Sequence, residues 1–184
     1  MNRIFEPFRY ITVPDGTLVS AFLSATDSSQ NGVPWGGLGD MSIAAGKVEA
    51  GVHSWIHVHP IVTQVTYVCA GKLAVRMKDK IDEEPYTLEL KTGQAVLVRP
   101  GTLFQLRNDS NDRVEVLYIV SPSYVFEAGG EGKPPRYDDA RLVAQTWEEL
   151  AAASYDVPAL EVNQTEARRL REASLRRLAK LRAC

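Results

Sequence analysis

Short runs of alternating apolar and polar residues fill the middle of this chain, from Met41 to Val120. Eight such runs, rich in β-branched and aromatic residues, follow one another and are separated by glycines or by a Pro-Gly pair. Strands this short and this evenly spaced predict an antiparallel sandwich or barrel. The predicted strands are MSIAAGKV, WIHVH, TQVTYV, KLAVRM, YTLEL, AVLV, LFQLR and VEVLYIV.

Different patterns precede this region. Residues 8–23 predict two further short strands on either side of a Pro-Asp-Gly turn. Residues 27–40 form a polar, Gly-rich stretch, which predicts a loop over the mouth of a pocket.

Helical signals follow the β-rich region. After a Gly/Pro-rich stretch, Asp138 or Asp139 is suited to cap a helix that runs through Ala153. Asn163 or Thr165 is suited to cap a second helix that continues to the C-terminus. We therefore expect an all-β fold, a small antiparallel β-barrel, with a C-terminal helical extension.

The second helix is amphipathic, with arginines around an apolar face. Docking of that face onto the barrel or onto a partner subunit is expected. Contact with nucleic acid through the arginines is the alternative, but no interleaved aromatic residues support it. The apolar face consists of Ala167, Leu170, Ser174, Leu178 and Leu181.

The length of 184 residues suits one domain with an added helical segment. We divide it into N-terminal strands and a loop that pack on the barrel (1–40), the barrel (41–125), and a linker with C-terminal helices (126–184).

The net charge of −2 is too balanced for phosphate-backbone binding by the whole protein. The last 20 residues nevertheless carry seven basic residues against two acidic ones.

Cellular location is constrained by the two cysteines and by the absence of long apolar runs. Cys69 and Cys184 imply no disulfide framework, which fits a reducing cytoplasm. No run approaches the roughly 20 apolar residues of a membrane helix, so membrane spanning is not expected. Cys69 is interpreted as a buried small hydrophobe, with a thiolate nucleophile as the alternative.

All three histidines lie within seven residues, His53, His57 and His59. In a strand, residues i and i+2 share a face, so His57 and His59 can aim their imidazoles at one point. The side-chain oxygen of Gln64 can reach the same point from the next strand. These three residues are candidate metal ligands.

The spacing of these residues resembles the first cupin motif, which reads Gly, five residues, His-x-His, four residues, Glu, six residues, Gly. Here the motif runs Gly51, His57, His59, Gln64, Gly71, with glutamine in the glutamate position. The resemblance implies a jelly-roll-like barrel with a pocket inside its wider mouth.

The second cupin motif is matched with two departures. Gly93, Gly101 and Asn108 stand at their expected positions. Arg99 stands where proline is usual, and Phe104 stands where the fourth metal ligand, a histidine, is usual. Gly71 and Gly101 are expected in tight turns with positive φ.

The remaining ligands still make an open three-ligand site for Zn, Fe(II), Mn or Ni. Because Gln64 is neutral, such an ion keeps its full +2 charge, which favours an anionic substrate. The first hypothesis is therefore a metal-dependent enzyme of isomerase, lyase or dioxygenase type acting on a small anionic metabolite. The alternatives are a metal-free metabolite-binding or sensor protein, and a metal-free epimerase or cyclase that uses His57 or His59 as base.

Further residues are candidates for chemistry or for binding. His53 is a candidate general base, or a replacement for the missing fourth metal ligand, or else a hydrogen-bonded loop histidine. Tyr118 is a candidate proton donor, provided that it and not Glu115 faces inward. Arg99 is placed to clamp a carboxylate, or else to form a salt bridge at the surface.

Aromatic residues are expected to line or pack the pocket. Trp55 and Phe104 are candidate substrate contacts, and Val68 and Leu106 are expected beside them. A homodimer is also expected, since pairing covers the exposed edges of a small barrel.

Overall fold

In a computed structural model the chain is built almost entirely of β-strands, with two helices near its C-terminus. The structure describes residues 4–24, 28–30, 33–37, 40–79, 84–130, 133–152 and 160–182. No helix within these ranges is long and apolar enough to cross a membrane.

Fifteen strands are formed within the described ranges, and all eight strands predicted between Met41 and Val120 are among them. In chain order they are β1 (Ile11–Thr12), β2 (Leu18–Ser24), β3 (Ser28–Gln30), β4 (Val33–Gly37), β5 (Ser42–Val48), β6 (Ile56–Val58), β7 (Thr63–Ala70), β8 (Lys72–Lys78), β9 (Tyr86–Lys91), β10 (Ala95–Val98), β11 (Leu103–Arg107), β12 (Val114–Ser121), β13 (Phe126–Glu127), β14 (Tyr137–Asp138) and β15 (Arg141–Ala144). The helices are α1 (Trp147–Ala152) and α2 (Leu160–Arg182).

Two sheets make up the barrel. The larger has the order β10-β7-β12-β5-β2-β4-β3, with β1 paired to β2, and the smaller has the order β15-β6-β11-β8-β9. Apart from the parallel β2–β4 pair, all these pairings are antiparallel. The predicted all-β barrel with a helical extension is therefore confirmed.

The core lies between the two sheets, because alternate residues of their strands point inward. Strand β12 shows the pattern most clearly: every second residue from Val114 to Val120 is buried, and those between are half-buried. The main apolar cluster draws residues from both sheets: Val48, Val62, Val68, Leu73, Val75, Met77, Leu90, Val96, Val98, Phe104, Leu106, Val114, Val116, Tyr118 and Val120.

Turns at the motif glycines take the predicted conformation. Gly71 has φ 91° and Gly101 has φ 87°, a region that a side chain would strain. Asn108 is fully buried, and its amide nitrogen donates to the carbonyl oxygens of Val48, Glu49 and Asp112. The second-motif asparagine therefore joins two turns at one end of the barrel.

The N-terminal region differs from the prediction in part. The two short strands about the Pro-Asp-Gly turn are present, and β2 extends the larger sheet by pairing with β5. The stretch predicted as a loop, 27–40, instead contains β3 and β4, which pair with each other. Backbone pairing with the sheet edge thus outweighs the loop-like composition of this stretch.

The first predicted helix starts later than expected. Asp138 and Asp139 cap no helix, because their carboxylates accept hydrogen bonds from the backbone of Ala140 and Val125. The chain continues as β15, and α1 begins only at Trp147. Its cap is Thr146, whose hydroxyl accepts a hydrogen bond from the Glu149 backbone nitrogen, while the Glu149 carboxylate accepts one from the Gln145 backbone nitrogen. The predicted helix end at Ala153 lies outside the described residues.

Helix α2 begins at Leu160, so neither Asn163 nor Thr165 caps it. Ala167 and Ser174 are buried as predicted, but Leu170 is exposed. Arg171 takes the inward position instead, because it forms an ion pair with a buried carboxylate. The side chain of Leu181 and the whole of Cys184 lie outside the described residues.

Candidate active site

A cavity of about 930 Å³ is lined by strands of both sheets, the N-terminal segment and helix α2. One part of its lining, called the floor, is made of buried and mostly polar side chains. The floor consists of His57, His59, Gln64, Leu106, Tyr118 and Val120. The three predicted metal ligands therefore line one cavity.

The two histidines of the floor lie side by side at β6. Their ring centroids are 5.4 Å apart, and both side chains are buried. His57 Nδ1 donates to the carbonyl oxygen of Trp55 at 2.9 Å, which leaves Nε2 as the lone-pair nitrogen of the neutral ring. Fixing of one ring nitrogen in this way is the usual arrangement of a metal-binding histidine.

Two polar atoms of the floor, Nδ1 of His59 and the hydroxyl oxygen of Tyr118, are buried and have no hydrogen-bond partner among the described residues. Burial, reinforced by the neighbouring His57, holds the pKa of His59 well below its usual range. The ring is therefore uncharged at neutral pH and keeps a lone pair available.

Gln64 faces the same cavity from β7. Its amide nitrogen donates to the hydroxyl of Thr66 at 3.1 Å, which leaves the amide oxygen as the group that can bind a cation. This contact with Thr66 explains how a neutral side chain is held in the position where the motif has a glutamate.

Phe104 is fully buried and packs against both histidine rings, with centroid distances of 4.0 Å to His57 and 5.2 Å to His59. It is directly opposite His57 in the β11–β6 pair. Phe104 does not line the cavity, so the prediction that it contacts substrate is wrong. The strand register places the Phe104 ring beside the imidazoles, on the side away from the cavity.

Three other predicted site residues lie outside this cavity. His53 is exposed and its Nε2 is 2.6 Å from Asp109, so it is a hydrogen-bonded surface histidine rather than a base on the floor. Trp55 lines a separate polar depression on the outer side of the smaller sheet. Arg99 is exposed and does not line the cavity, because it follows the end of β10 in the turn.

Tyr118 points inward as predicted, and Glu115 does not reach the cavity. Burial raises the pKa of the Tyr118 hydroxyl above its usual range, so the hydroxyl stays protonated. The ring has room because residue 46 on the neighbouring strand is a glycine. A Cβ on Gly46 would lie 2.7 Å from Cζ of Tyr118.

Two cavity residues escaped the sequence analysis, Tyr124 and Asp138. The Tyr124 hydroxyl donates to the Asp138 carboxylate, and the Tyr124 ring lies against His59 with centroids 5.9 Å apart. Burial raises the pKa of Asp138, although the hydrogen bonds from Tyr124 and the Ala140 backbone oppose the rise. Neither residue belongs to a motif, and the sequence predicts a helix cap at Asp138 rather than a cavity residue.

Helix α2 is attached through two buried carboxylates of residues 126–139, the segment that contains the small β13–β14 sheet outside the two barrel sheets. The prediction had the apolar face of the helix on the barrel or on a partner subunit. Glu127 accepts hydrogen bonds from Ser174 at 2.8 Å and from Arg177 at 2.7 Å. Asp139 pairs with Arg171, which also donates to the backbone oxygen of Ser123. One face of α2 thereby becomes a wall of the cavity.

Cys69 is exposed on β7, so the prediction of a buried small hydrophobe is wrong. It follows the buried Val68 in a strand whose side chains alternate between the core and the surface.

These side chains can bind a divalent metal ion through three ligands only if the Gln64 amide oxygen is one of them. Among the described residues, no three His, Cys, Asp or Glu side chains are grouped so as to hold a metal. His57 Nε2, the lone pair of His59 and the Gln64 oxygen are the neutral donor atoms that this part of the cavity offers.

Comparison with known proteins agrees with this architecture. A family model described as "Cupin domain" matches residues 44–120. No curated protein matches the chain.

Solved structures share the fold at low sequence identity. Peruvianin-I, a cysteine peptidase from Thevetia peruviana latex, aligns with a TM-score of 0.54 and 12% identity over 77% of this chain and 74% of its own. The capsular polysaccharide assembling protein CapF from Staphylococcus aureus aligns with a TM-score of 0.52 and 15% identity over 74% of this chain and 32% of its own. CapF bound to 3-isopropenyl-tropolone gives a TM-score of 0.52 and 14% identity over 74% of this chain and 34% of its own. This chain thus spans about a third of the length of CapF.

Proposed function

The chain belongs to the cupin superfamily through the cupin domain at residues 44–120, and from that premise we propose that it is a metal-dependent enzyme acting on a small organic molecule. The reaction is of isomerase, lyase or dioxygenase type. The substrate enters the 930 Å³ cavity and reacts at its floor.

The observation that carries this proposal is the pair of buried imidazoles. His57 and His59 lie side by side in the cavity, and His59 Nδ1 is a buried polar atom to which no described residue is hydrogen-bonded. An unpaired buried polar atom is unfavourable, and binding a cation removes that penalty. A depressed pKa on His59 favours the same outcome, since only the neutral ring can be a ligand.

His57, His59 and Gln64 would hold the ion, which would be Zn, Fe(II), Mn or Ni. When bound, such an ion polarises a carbonyl or carboxylate oxygen of the substrate, or activates O₂ if it is iron. The chain itself orients the ligands: the Trp55 carbonyl fixes the tautomer of His57, and Thr66 fixes the amide of Gln64.

Other side chains shape the space around the reacting group. Phe104 closes the side of the histidines away from the cavity and excludes water there. Tyr118 presents a protonated hydroxyl at the floor, and Asp138 presents a carboxyl that is hydrogen-bonded to Tyr124. These groups are placed to bind polar atoms of the substrate.

The charge of the substrate follows from the ion. The charged residues that line the cavity have an acidic excess, and the guanidinium of Arg171 is already paired with Asp139. The chain alone therefore offers little attraction to an anion, whereas an ion held by three neutral ligands offers a full +2 charge. We propose an anionic substrate, which binds only when the metal is present.

Metal analysis of matched histidine variants tests the proposal. The protein purified without chelator, and the His53→Ala variant, should each contain close to one equivalent of divalent metal by elemental analysis. His57→Ala and His59→Ala should lose it. His53 is the control because it lies outside the cavity. Equal metal content in all four proteins, or no metal uptake by the unmodified protein, would overturn the proposal.

A second candidate, a metal-free metabolite-binding protein, is favoured by one observation. Phe104 packs against both histidines at the position where the motif has its fourth ligand. This candidate predicts that an anionic cavity ligand raises the unfolding temperature equally with and without EDTA. The enzyme proposal predicts that EDTA abolishes the shift.

A further inference from the structure

The exposed part of the cavity lining contains large apolar side chains as well as the charged residues Glu6, Arg9 and Asp40. Five large apolar side chains that are exposed to solvent all line this cavity. They are contributed by the N-terminal segment, β13, β15 and α2, which lie far apart in sequence. We call them the mouth cluster: Phe8, Ile11, Phe126, Leu142 and Leu175.

These five are among the twelve large apolar side chains that are exposed in the described residues. Phe8 is 68% exposed, although its side chain lines a cavity. Contiguous exposed apolar surface on a protein marks a place where something apolar binds. The cavity volume of about 930 Å³ falls in the range of small-molecule pockets. The molecule that binds against these side chains must therefore be a small molecule.

The mouth cluster is continuous with the polar floor. Leu142 of β15 is directly opposite His57 of β6, and directly paired residues of two strands point to the same face. An apolar side chain of the mouth therefore adjoins the imidazole that would hold the metal. A molecule that contacts both must be polar at one end and apolar along the rest.

We propose that the ligand of this cavity is an amphipathic small molecule, with a polar head at the histidines and an aliphatic or aromatic body against the mouth cluster. This inference rests on the proposed function, since it takes the floor as the site of the reacting group. Leu175 of helix α2 contacts the apolar body of the ligand and so helps to determine which ligands bind. Arg171 of the same helix is paired with Asp139 and therefore adds no free positive charge to the cavity wall.

Calorimetric titration with two homologous series tests the proposal. The probes are n-alkanoates in the presence of Zn²⁺ and n-alkanols in the presence of EDTA, each with four, six and eight carbons. Each fully buried CH₂ raises affinity about fourfold, so binding should strengthen on the order of 100-fold from four carbons to eight. Equal affinity across both series would overturn the proposal.

Two variants on the same helix locate the effect. Leu175→Glu should weaken octanol binding about tenfold or more, because it places a charge against the apolar body. Leu170→Glu is the matched control, since Leu170 is 37% exposed against 39% for Leu175 but does not line the cavity. Equal losses in both variants, at equal unfolding temperatures, would contradict the proposal.

The same measurements separate this inference from the proposed function. If the metal proposal fails, the alkanol series in EDTA still shows its chain-length dependence. If the inference fails, the histidine variants still lose metal while the chain-length dependence is absent. Sedimentation velocity adds a further outcome: a dimer that Leu175→Glu dissociates would overturn the inference, because a subunit would then cover the mouth cluster.

Discussion

Replacing Gln64 by glutamate tests whether this side chain is a metal ligand. The variant restores the residue that the cupin motif has at this position. The shape of the side chain is nearly unchanged, and the Thr66 hydroxyl, which accepts from the amide at 3.1 Å, can donate to a carboxylate instead. The change is therefore one of charge within an intact pocket.

The expected gain in metal affinity can be worked out from burial. Gln64 is only 6% exposed, so solvent screens the new charge weakly. A carboxylate and a divalent cation about 4 Å apart attract by about 8 kcal/mol at an effective dielectric constant of 20. Desolvation of the carboxylate offsets most of this attraction. A net gain of about 1.4 to 3 kcal/mol remains, which is roughly a 10- to 100-fold lower dissociation constant.

Competition with a chromophoric chelator measures that constant directly. Gln94→Glu is the control, because Gln94 is exposed, lies outside the cavity and accepts a hydrogen bond from the Lys91 backbone that a carboxylate also accepts. Without metal, Gln64→Glu should lower the unfolding temperature, since a buried carboxylate is left uncompensated. An unchanged metal affinity, or an equal gain in Gln94→Glu, would refute the assignment of Gln64 as a ligand.

Three further predictions concern stability. Gly46→Ala should lower the free energy of unfolding by about 1–3 kcal/mol, because the new Cβ meets the buried Tyr118 ring; urea unfolding measures the change. Asn108→Ala should cost about 1–3 kcal/mol in the same assay, because three backbone oxygens lose their donor; a loss below 0.5 kcal/mol would contradict this. Hydrogen bonding to Arg177 lowers the pKa of Glu127 in the folded protein. The ionised Glu127 carboxylate therefore contributes its full stabilisation above about pH 4.3, the pKa of an unfolded glutamate, and loses it as the pH falls through the lower folded-state pKa. Thermal scans from pH 6 to pH 3 should show this loss in the unmodified protein but not in Glu127→Gln.

The barrel could be predicted from the sequence because its strands carry strong local signals. Each of the eight central strands has a periodic pattern bounded by a glycine or a turn, and the metal-ligand candidates follow from the spacing of His57, His59 and Gln64. All three line the cavity. Periodicity places a side chain on a face, and strand pairing then brings those faces together.

The rest of the site depends on contacts between distant segments. Asp138 looks like a helix cap in sequence, but Tyr124 and the Ala140 backbone use its carboxylate. Arg99 fills a motif position, yet the turn directs it to solvent. Leu175 is part of a helix whose docking depends on buried partners that only the fold supplies. No local pattern in the sequence encodes these relations.

Helix α2 forms part of the cavity without belonging to the hydrogen-bonded sheets. Its attachment depends on side-chain ion pairs at Asp139 and Glu127, so its cavity-facing residues can change while the barrel backbone stays intact. Related chains with the same histidine floor can thus evolve a different ligand preference by substitutions in this one helix. The barrel that carries the histidines and the helix that lines the cavity are therefore separable parts of the molecule.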